Sequence, residues 1–259
     1  MASRGIYNSL LQRKQNNIRS LAVLIDPDKC ALERLPHFVV QAQQAGADYF
    51  FVGSSLLVQN TFSECLVAIR KYAHVPVVIF PGSCYQVSPL ADAILLLSLI
   101  SGRNAEFLIG QQVAAATALK KSNLEIISTG YVLIDGGRLT SVHYISQTLP
   151  VPADKPDIAV ATALAGEMLG LKTIYLEAGS GAAKSVSPAM ISAVRENISI
   201  PLLTGGGIRD AEKAFAIARA GADVVVIGNS FEQDPSLLFE MACAVHEAGH
   251  SSQTQIHSP

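Results

Sequence analysis

The fold is decided by two stretches of the chain, Ile200-Pro-Leu-Leu-Thr-Gly-Gly-Gly-Ile-Arg209 and Ala222-Asp-Val-Val-Val-Ile-Gly-Asn-Ser230. Each is a short apolar run that ends in glycines or small polar residues and leads into helix-like sequence. An anion can approach the backbone N–H groups of such glycines closely, and the following helix N-terminus adds partial positive charge. These are the last two strand signals of the chain, where a (β/α)8 barrel binds phosphate. Two ordinary tight turns are the alternative, but three consecutive glycines exceed what a turn needs.

Apolar runs and helical patterns alternate along the whole chain. The runs are rich in Val, Ile and Leu, as a parallel sheet covered on both faces requires. Strands are predicted at 21–25, 49–52, 75–80, 93–97, 124–128, 173–176, 202–204 and 224–227. Helices are predicted at 6–19, 32–45, 61–72, 106–120, 157–169, 188–196, 211–220 and 235–248.

The predicted fold is a modified TIM barrel of the α/β class. With 259 residues, 49% of them hydrophobic, the chain has the size of one such barrel. A single domain over 1–259 is predicted, with 1–20 as a leading helical segment and 251–259 as a polar tail. Residues 45–55 and 220–230 match in position and residue type, which predicts that strands 2 and 8 belong to the same kind of helix–turn–strand unit. Gly46 and Gly221 are predicted to be helix C-caps in these units.

The segment between Phe80 and Ala91 breaks this rhythm. Its ten residues, Pro81 to Leu90, include two prolines, so no full crossover helix fits. The third helix of the outer ring is therefore predicted to be missing. A compact loop is the plain interpretation, but the missing helix also uncovers apolar barrel surface, and such a groove suits a lipid chain.

A second irregular segment covers residues 131–146. Asp135-Gly-Gly137 lies between two extended runs, which is typical of a hairpin turn. Strand 5 is therefore expected to run past the barrel into a β-hairpin, with a structural role or as a partial lid.

Composition excludes several classes of protein. The formal charge is −2 and no basic cluster is longer than Arg13-Lys14 or Lys120-Lys121, so a nucleic-acid partner is not expected. The longest apolar stretch, 93–100, is too short to span a bilayer, and residues 1–20 lack the apolar centre of a signal peptide. A cytoplasmic protein is predicted, with its four cysteines as reduced thiols.

Two motif matches are rejected on position and composition. His246-Glu-Ala-Gly-His250 fits a zinc-protease pattern but lies at the end of the last helix, remote from every strand end. Gly179-Ser-Gly-Ala-Ala-Lys-Ser185 approaches a P-loop but lacks the required glycine spacing, so it suits only a smaller phosphate.

Chemistry is expected at the carboxyl ends of the strands. Asp26 ends strand 1 and can hold a hard divalent cation, to which Ser54 or Ser55 after strand 2 can add a hydroxyl. Strand alternation lets only one of these serines face inward easily. Tyr175 and Glu177 share one face of strand 6. A lone carboxylate at such a place can equally be a helix cap or turn residue, so the constellation carries the prediction.

Seven motifs together resemble the geranylgeranylglyceryl phosphate synthase family, in that family's order and over nearly the whole chain. They are Asp26-Pro-Asp-Lys29, Phe80-Pro-Gly82, Ser101-Gly-Arg-Asn104, Thr129-Gly-Tyr131, Tyr175-Leu-Glu-Ala-Gly-Ser-Gly-Ala182, Gly205-Gly-Gly-Ile-Arg209 and Gly228-Asn229. The resemblance implies a modified barrel without a normal third helix. It also implies a prenyltransferase that uses Mg2+ to join sn-glycerol 1-phosphate to a prenyl diphosphate, giving an ether lipid precursor and pyrophosphate.

The resemblance also implies roles for individual residues. Asp26 and Ser55 would bind Mg2+, and Glu177, assisted by Tyr175, would take the proton of the attacking glycerol hydroxyl. Glycerol phosphate would be held by Tyr175, Leu176, Glu177, Ala178, Gly179, Ser180, Gly181, Gly206, Gly207, Gly228 and Asn229. Lys29 and Arg103 are further expected, by our own inference, to contact the diphosphate.

Other functions and properties stay open at this stage. The main competitor is a phosphate-binding barrel isomerase or aldolase, for which the only lysine close to a strand end is Lys29. A non-catalytic sensor of a phosphorylated ligand is the second. Family members are dimers or hexamers, and the motifs here look more like the hexamer-forming group. Prenyl length, an archaeal or bacterial source and transient contact with a membrane surface are left open.

Overall fold

The computed structural model describes residues 5–59, 61–228 and 235–250. Eight parallel strands pair in sequence order and close into a barrel, since β1 also pairs with β8. This confirms the predicted TIM barrel. The strands are β1 Ser20–Ile25, β2 Tyr49–Val52, β3 Val77–Ile79, β4 Ala93–Leu99, β5 Glu125–Leu133, β6 Thr173–Glu177, β7 Leu202–Gly205 and β8 Val224–Gly228.

Helices surround the barrel. They are α1 Ile6–Gln15, α2 Leu35–Gln44, α3 Phe62–Tyr72, α4 Gln111–Ser122, α5 Ser141–Ser146, α6 Pro156–Met168, α7 Pro188–Asn197, α8 Ala211–Arg219 and α9 Pro235–His250, with a π-helical turn at Glu106–Gly110 before α4. No helix in the described ranges is both long and apolar enough to cross a membrane.

The leading helix α1 packs at the amino-terminal end of the barrel. The Glu125 carboxylate accepts hydrogen bonds from the backbone N–H groups of Ile6 (2.5 Å) and Tyr7 (2.9 Å). Leu10 is buried among inward-facing barrel residues. The helix ends at Gln15, earlier than predicted, because Asn17 has a left-handed backbone with φ 55°.

Two apolar layers follow from strand alternation. Inward-facing side chains such as Phe51, Leu95 and Leu203 fill the barrel, while outward-facing ones such as Ile79 and Leu202 pack beneath the helices. The barrel interior is thus a packed core up to its carboxyl end.

The missing third helix is confirmed for the described chain: β3 is joined to β4 by a loop without a helix. The buried Gln86 side chain fixes this loop, since its amide donates to the Ser54 carbonyl at 2.8 Å and accepts from the Gly82 N–H at 3.3 Å. A Cβ added at Gly53 would lie 1.9 Å from the Phe80 carbonyl oxygen. The loops after β2 and β3 therefore need glycine where they cross.

The predicted β-hairpin is wrong. β5 does continue past residue 128, but the second arm is α5 and not a strand. Asp135 accepts a hydrogen bond from the Gly137 N–H at 2.8 Å, which forms a local turn. Thr140 and His143 then cap each other's backbone groups and start the helix.

The predicted glycine C-caps are confirmed. Gly46 and Gly221 have φ of 104° and 119° directly after α2 and α8. The rejected zinc motif is explained in part: His246 lies 2.9 Å from Asp48, which follows Ala47 before β2 and therefore lies at the amino end of the barrel. The His250 side chain lies outside the described residues.

Candidate active site

One large cavity opens at the carboxyl ends of the strands. Its volume is about 950 Å³, within the size range of small-molecule sites. Polar residues line one part, among them Asp26, Lys29, Ser54, Ser55, Glu177, Ser180, Gly181, Gly206, Gly207, Arg209 and Gly228. Apolar residues line the other, among them Phe80, Val87, Ile94, Leu96, Leu97, Phe107, Ala115, Leu119, Tyr131, Val142 and Ile145.

The glycine-rich loops after β6 and β7 pass each other closely. Gly179, Gly181, Gly206 and Gly207 all have positive φ, between 71° and 97°. A Cβ added at Gly206 would lie 2.4 Å from a Glu177 carboxylate oxygen, and one at Gly207 would lie 2.7 Å from the Lys184 carbonyl oxygen. Only glycine fits here, and its bare backbone can approach an anion.

Several backbone donors in these loops point to an external acceptor. The N–H groups of Ser180, Gly181, Gly206 and Gly207 have no backbone acceptor among the described residues. By contrast, the Ala178 N–H donates to the Gly205 carbonyl at 3.1 Å. Gly228 lies at the cavity with open space beside it. Asn229 lies outside the described residues.

Glu177 is a buried carboxylate at the junction of the polar and apolar parts. Burial raises its pKa from 4.5 to about 7. The Gly179 N–H donates to its carboxylate at 2.6 Å and moderates that rise. The Tyr175 hydroxyl also lowers this pKa, although its geometry falls short of a hydrogen bond to any described group. A carboxylate with a pKa near neutrality is suited to accept a proton.

Tyr175 and Glu177 both point into the barrel mouth, as strand alternation on β6 predicts. Leu176 and Ala178 point outward into the core beneath the helices. These two can therefore contribute only backbone groups to the cavity. The exposed Ser180 follows in the loop.

Three aromatic rings meet beside Glu177. Tyr131 and Tyr175 are register partners on β5 and β6, with ring centroids 5.6 Å apart, and Phe80 lies 5.0 Å from Tyr175. Burial, and next the nearby Glu177 carboxylate, raise the pKa of both tyrosines well above 10. Both phenols therefore stay protonated at neutral pH.

The predicted metal residues line the polar end of the cavity. Asp26 is 9% exposed, and its carboxylate is 2.7 Å from the Lys29 ammonium. The Ser54 hydroxyl donates to the Leu56 carbonyl at 3.1 Å, whereas the Ser55 hydroxyl has no hydrogen bond within the described chain. Ser55 is thus the better-placed hydroxyl of the two. The Lys29 ammonium holds the position that a cation would take beside Asp26.

Arg103 is not brought to the cavity. Its exposed guanidinium donates to the Gly102 carbonyl at 2.8 Å, within its own loop. Arg209, which was not predicted as a site residue, does line the cavity, and its guanidinium donates to the Ala182 carbonyl at 2.9 Å. Its place two residues after the three glycines was the available signal, but sequence alone did not orient its side chain.

The apolar part of the cavity lies where the third helix is missing. Ile94 and Leu96 project outward from β4 and are covered there by the loop residue Val87 and by Ala115 and Leu119 of α4. The expected apolar groove is therefore present. Ala115 and Leu119 belong to its α4 wall, which the sequence alone did not locate.

A family model, that of the PcrB family, matches residues 14–248. The chain belongs to the PcrB family. A curated relative from Chitinophaga pinensis, named geranylgeranylglyceryl phosphate synthase, is 54% identical over 94% of this chain and 96% of its own length. One from Thermococcus kodakarensis with the same name is 37% identical over 92% and 94% of the two chains.

Solved structures extend the PcrB-family assignment to the fold. The (S)-3-O-geranylgeranylglyceryl phosphate synthase of Thermoplasma acidophilum, solved in complex with its substrate sn-glycerol-1-phosphate, superposes with a TM-score of 0.89. It is 32% identical, and the match covers 94% of this chain and 99% of that one. A thiamine phosphate pyrophosphorylase from Pyrococcus furiosus, at 16% identity and TM-score 0.57, shares the fold alone.

Proposed function

We propose that this PcrB-family chain is a prenyltransferase that joins sn-glycerol 1-phosphate to a long-chain prenyl diphosphate, with geranylgeranyl diphosphate as the expected donor. The products are a prenylglyceryl phosphate ether and pyrophosphate. One observation carries the proposal: a single cavity joins a glycine-rich anion seat and a buried carboxylate to an apolar groove. The names of the relatives and the glycerol phosphate of the Thermoplasma structure support it.

Glycerol phosphate is proposed to bind at the loops after β6, β7 and β8. The backbone N–H groups of Ser180, Gly181, Gly206 and Gly207 would bind its phosphate. Tyr175 and Glu177 would face the glycerol hydroxyls, and Gly228 and Asn229 would complete the seat. Leu176, Ala178 and Gly179 act as spacers whose backbone shapes the loop.

Glu177 is proposed as the general base. The C1–O bond of the prenyl diphosphate breaks with its electron pair leaving on the diphosphate, and the glycerol oxygen forms the new bond to C1. The proton of that hydroxyl passes to the Glu177 carboxylate. A pKa of about 7 leaves this group largely ionised just above neutral pH and basic enough to accept the proton.

Asp26 and Ser55 are proposed to hold Mg2+, with Lys29 as a diphosphate contact. One buried carboxylate and a hydroxyl at a cavity wall fit this cation, which usually takes one or two carboxylates and completes its shell with water and substrate phosphates. The described residues contain no cluster of three or more His, Cys, Asp or Glu that forms an all-protein cage. When bound, Mg2+ supplies positive charge to the departing diphosphate.

The alternatives are weaker on the same geometry. An aldolase or isomerase that uses a Schiff base needs a lysine near the carbonyl carbon, and Lys29 is paired with Asp26. A phosphate sensor does not need a carboxylate with a pKa near 7. A homo-oligomer, a cytoplasmic location and the preferred prenyl length stay predictions.

Turnover tests the proposal directly. The purified chain is incubated with labelled sn-glycerol 1-phosphate, Mg2+ and geranylgeranyl diphosphate, and the organic extract is analysed for the labelled ether. We expect the ether and an equal amount of pyrophosphate, with neither formed when EDTA is added. Absence of the ether under all Mg2+ concentrations would refute the proposed function.

A further inference from the structure

The rings of Phe80, Tyr131 and Tyr175 form a triangle, here named the aromatic platform. Their centroids are 5.0, 5.6 and 6.2 Å apart, and the interplanar angles are 14° to 34°. A linear stack of three rings would place the outer pair about twice as far apart as the inner pairs. Tyr175 is therefore offset-stacked against both other rings, and Phe80 and Tyr131 are tilted towards each other. All three line the cavity, where Tyr175 and Tyr131 are buried and Phe80 is the partly exposed ring.

The surrounding chain holds this platform in place. Tyr131 and Tyr175 are fixed by strand pairing, and the Phe80 N–H donates to the Val52 carbonyl at 2.9 Å. The Phe51 ring lies 6.2 Å from Phe80 on the barrel side, away from the cavity. Phe80 is the only one of the three platform rings without a hydroxyl.

The platform lies near both Glu177 on β6 and the loop that replaces the third helix. Tyr175 and Glu177 are two residues apart on the same face of β6, and Phe80 begins the loop where the third helix is missing. Asp26, Glu177, the three rings and the apolar groove all line this one cavity. A prenyl chain in the groove with its diphosphate near Asp26 would therefore have its first carbons in the same cavity as the Phe80 ring.

We infer that the partly exposed Phe80 ring, backed by the buried rings of Tyr131 and Tyr175, stabilises the positive charge that develops on the allylic carbons as the diphosphate leaves. This rests on the proposed function. An aromatic face is negative and attracts a cation within about 6 Å, most strongly in a site that excludes water. The allyl unit carries the charge only in the transition state, so the attraction lowers the barrier rather than tightening substrate binding. Phe80 is then a catalytic residue, whereas the sequence alone predicted it only as the end of strand 75–80 and as part of the Phe80-Pro-Gly82 motif.

Ring fluorination at Phe80 separates this role from simple packing. Fluorine withdraws the negative charge of the ring face while changing its size little. Mono-, di-, tri- and tetrafluorinated phenylalanines are placed at position 80, and the single-turnover rate of ether formation is measured, because product release can mask chemistry. We expect the logarithm of the rate to fall stepwise, by roughly 10- to 30-fold in total. Affinity for a non-reactive prenyl diphosphate analogue should stay within about twofold.

The same series at Phe51 is the matched control, since that ring neighbours Phe80 but does not line the cavity. It should leave the rate unchanged. Phe80→Leu, which keeps an apolar side chain, should match the slow end of the series. A flat series at position 80 would overturn the inference, as would an equal loss of analogue affinity. If the unmodified chain forms no ether, the proposed function fails instead, so the two failures are distinguishable.

Discussion

The two sides of the cavity differ in chemistry, since one can bind an anion and the other can bind an apolar chain. On the side of β6, β7 and β8, the strands end in glycines that present backbone N–H groups to an anion. On the side of β3 and β4, a helix is omitted, so outward-facing Ile94 and Leu96 are covered by a loop and by α4, and line a groove. The first side depends on residues without a Cβ atom, and the second depends on the absence of the third crossover helix.

Because of this difference, substitutions in different parts of the cavity should affect different steps of the reaction. Changes on the glycine side should weaken glycerol phosphate binding, and changes in the groove should weaken binding of the prenyl chain. Changes at Glu177 should slow the chemical step without altering either affinity.

Glu177→Gln should lower the single-turnover rate of ether formation by about 10³-fold or more, because an amide keeps the shape but cannot accept a proton. Affinity for glycerol phosphate, measured by calorimetry, should change little, since the amide oxygen still accepts from the Gly179 N–H. In the wild type, kcat/KM should fall as the pH drops below about 7, where Glu177 becomes protonated. Normal turnover by the variant would remove Glu177 from its assigned role.

Gly207→Ala should weaken glycerol phosphate binding by roughly 100-fold, since φ is 71° and the added Cβ meets the Lys184 backbone at 2.7 Å. Prenyl diphosphate analogues should bind as before. Gly170→Ala is the matched control, because φ there is 85° but no atom lies within 4 Å of the added Cβ. It should cost stability without altering either affinity; parallel losses of both ligands in Gly207→Ala would argue against a divided cavity.

The Glu177→Gln variant should also be more stable than the wild type at alkaline pH. The folded protein holds the Glu177 proton up to about pH 7, whereas the unfolded chain releases it near 4.5. Stability of the wild type is therefore lost as pH rises between these values, by at most about 3 kcal/mol. Urea unfolding at pH 5 and pH 8 should show the gain of the variant mainly at pH 8; an equal gain at both would contradict the raised pKa.

Ala115→Phe should fill part of the groove and weaken a C20 prenyl analogue by roughly 10-fold while leaving glycerol phosphate affinity unchanged. Ala116→Phe, on the exposed face of α4 and outside the cavity, is the matched control. The thermal midpoint of both variants should be recorded, so that misfolding is recognised. Equal effects of the two substitutions would show that the α4 wall does not contact the chain.

The strands, and the direction in which their side chains point, could be predicted because both follow from the pattern of residue types along a single strand. Eight apolar runs gave eight strands, and alternation put Tyr175 and Glu177 together in the mouth. The predictions that were wrong concern segments whose local sequence pattern is compatible with more than one structure. Asp135-Gly-Gly137 suits a hairpin, but the Thr140–His143 capping box starts a helix.

Side-chain direction in loops was the other limit. Arg103 and Arg209 both follow glycines near strand ends, yet only Arg209 reaches the cavity, because its loop folds against Ala182. Spacing does not distinguish these cases, since the outcome depends on which neighbouring loop supplies a carbonyl acceptor. The aromatic platform was missed for a related reason, since Phe80 directly follows β3 and Tyr131 lies on β5, and these two strands are not adjacent.

The central claim is that the polar end of the cavity around Asp26 and the apolar groove bind the two ends of one prenyl diphosphate, and a length series tests it most directly. Non-reactive prenyl diphosphate analogues from C5 to C35 are titrated into the Mg2+-loaded protein. At roughly 0.8 kcal/mol per buried methylene, reduced by the cost of ordering the chain, each added isoprene unit should tighten binding about 10-fold until the groove is full. Affinity should then stop rising, whereas a series that is flat from C5 onward would mean that only the diphosphate is recognised and would contradict the account.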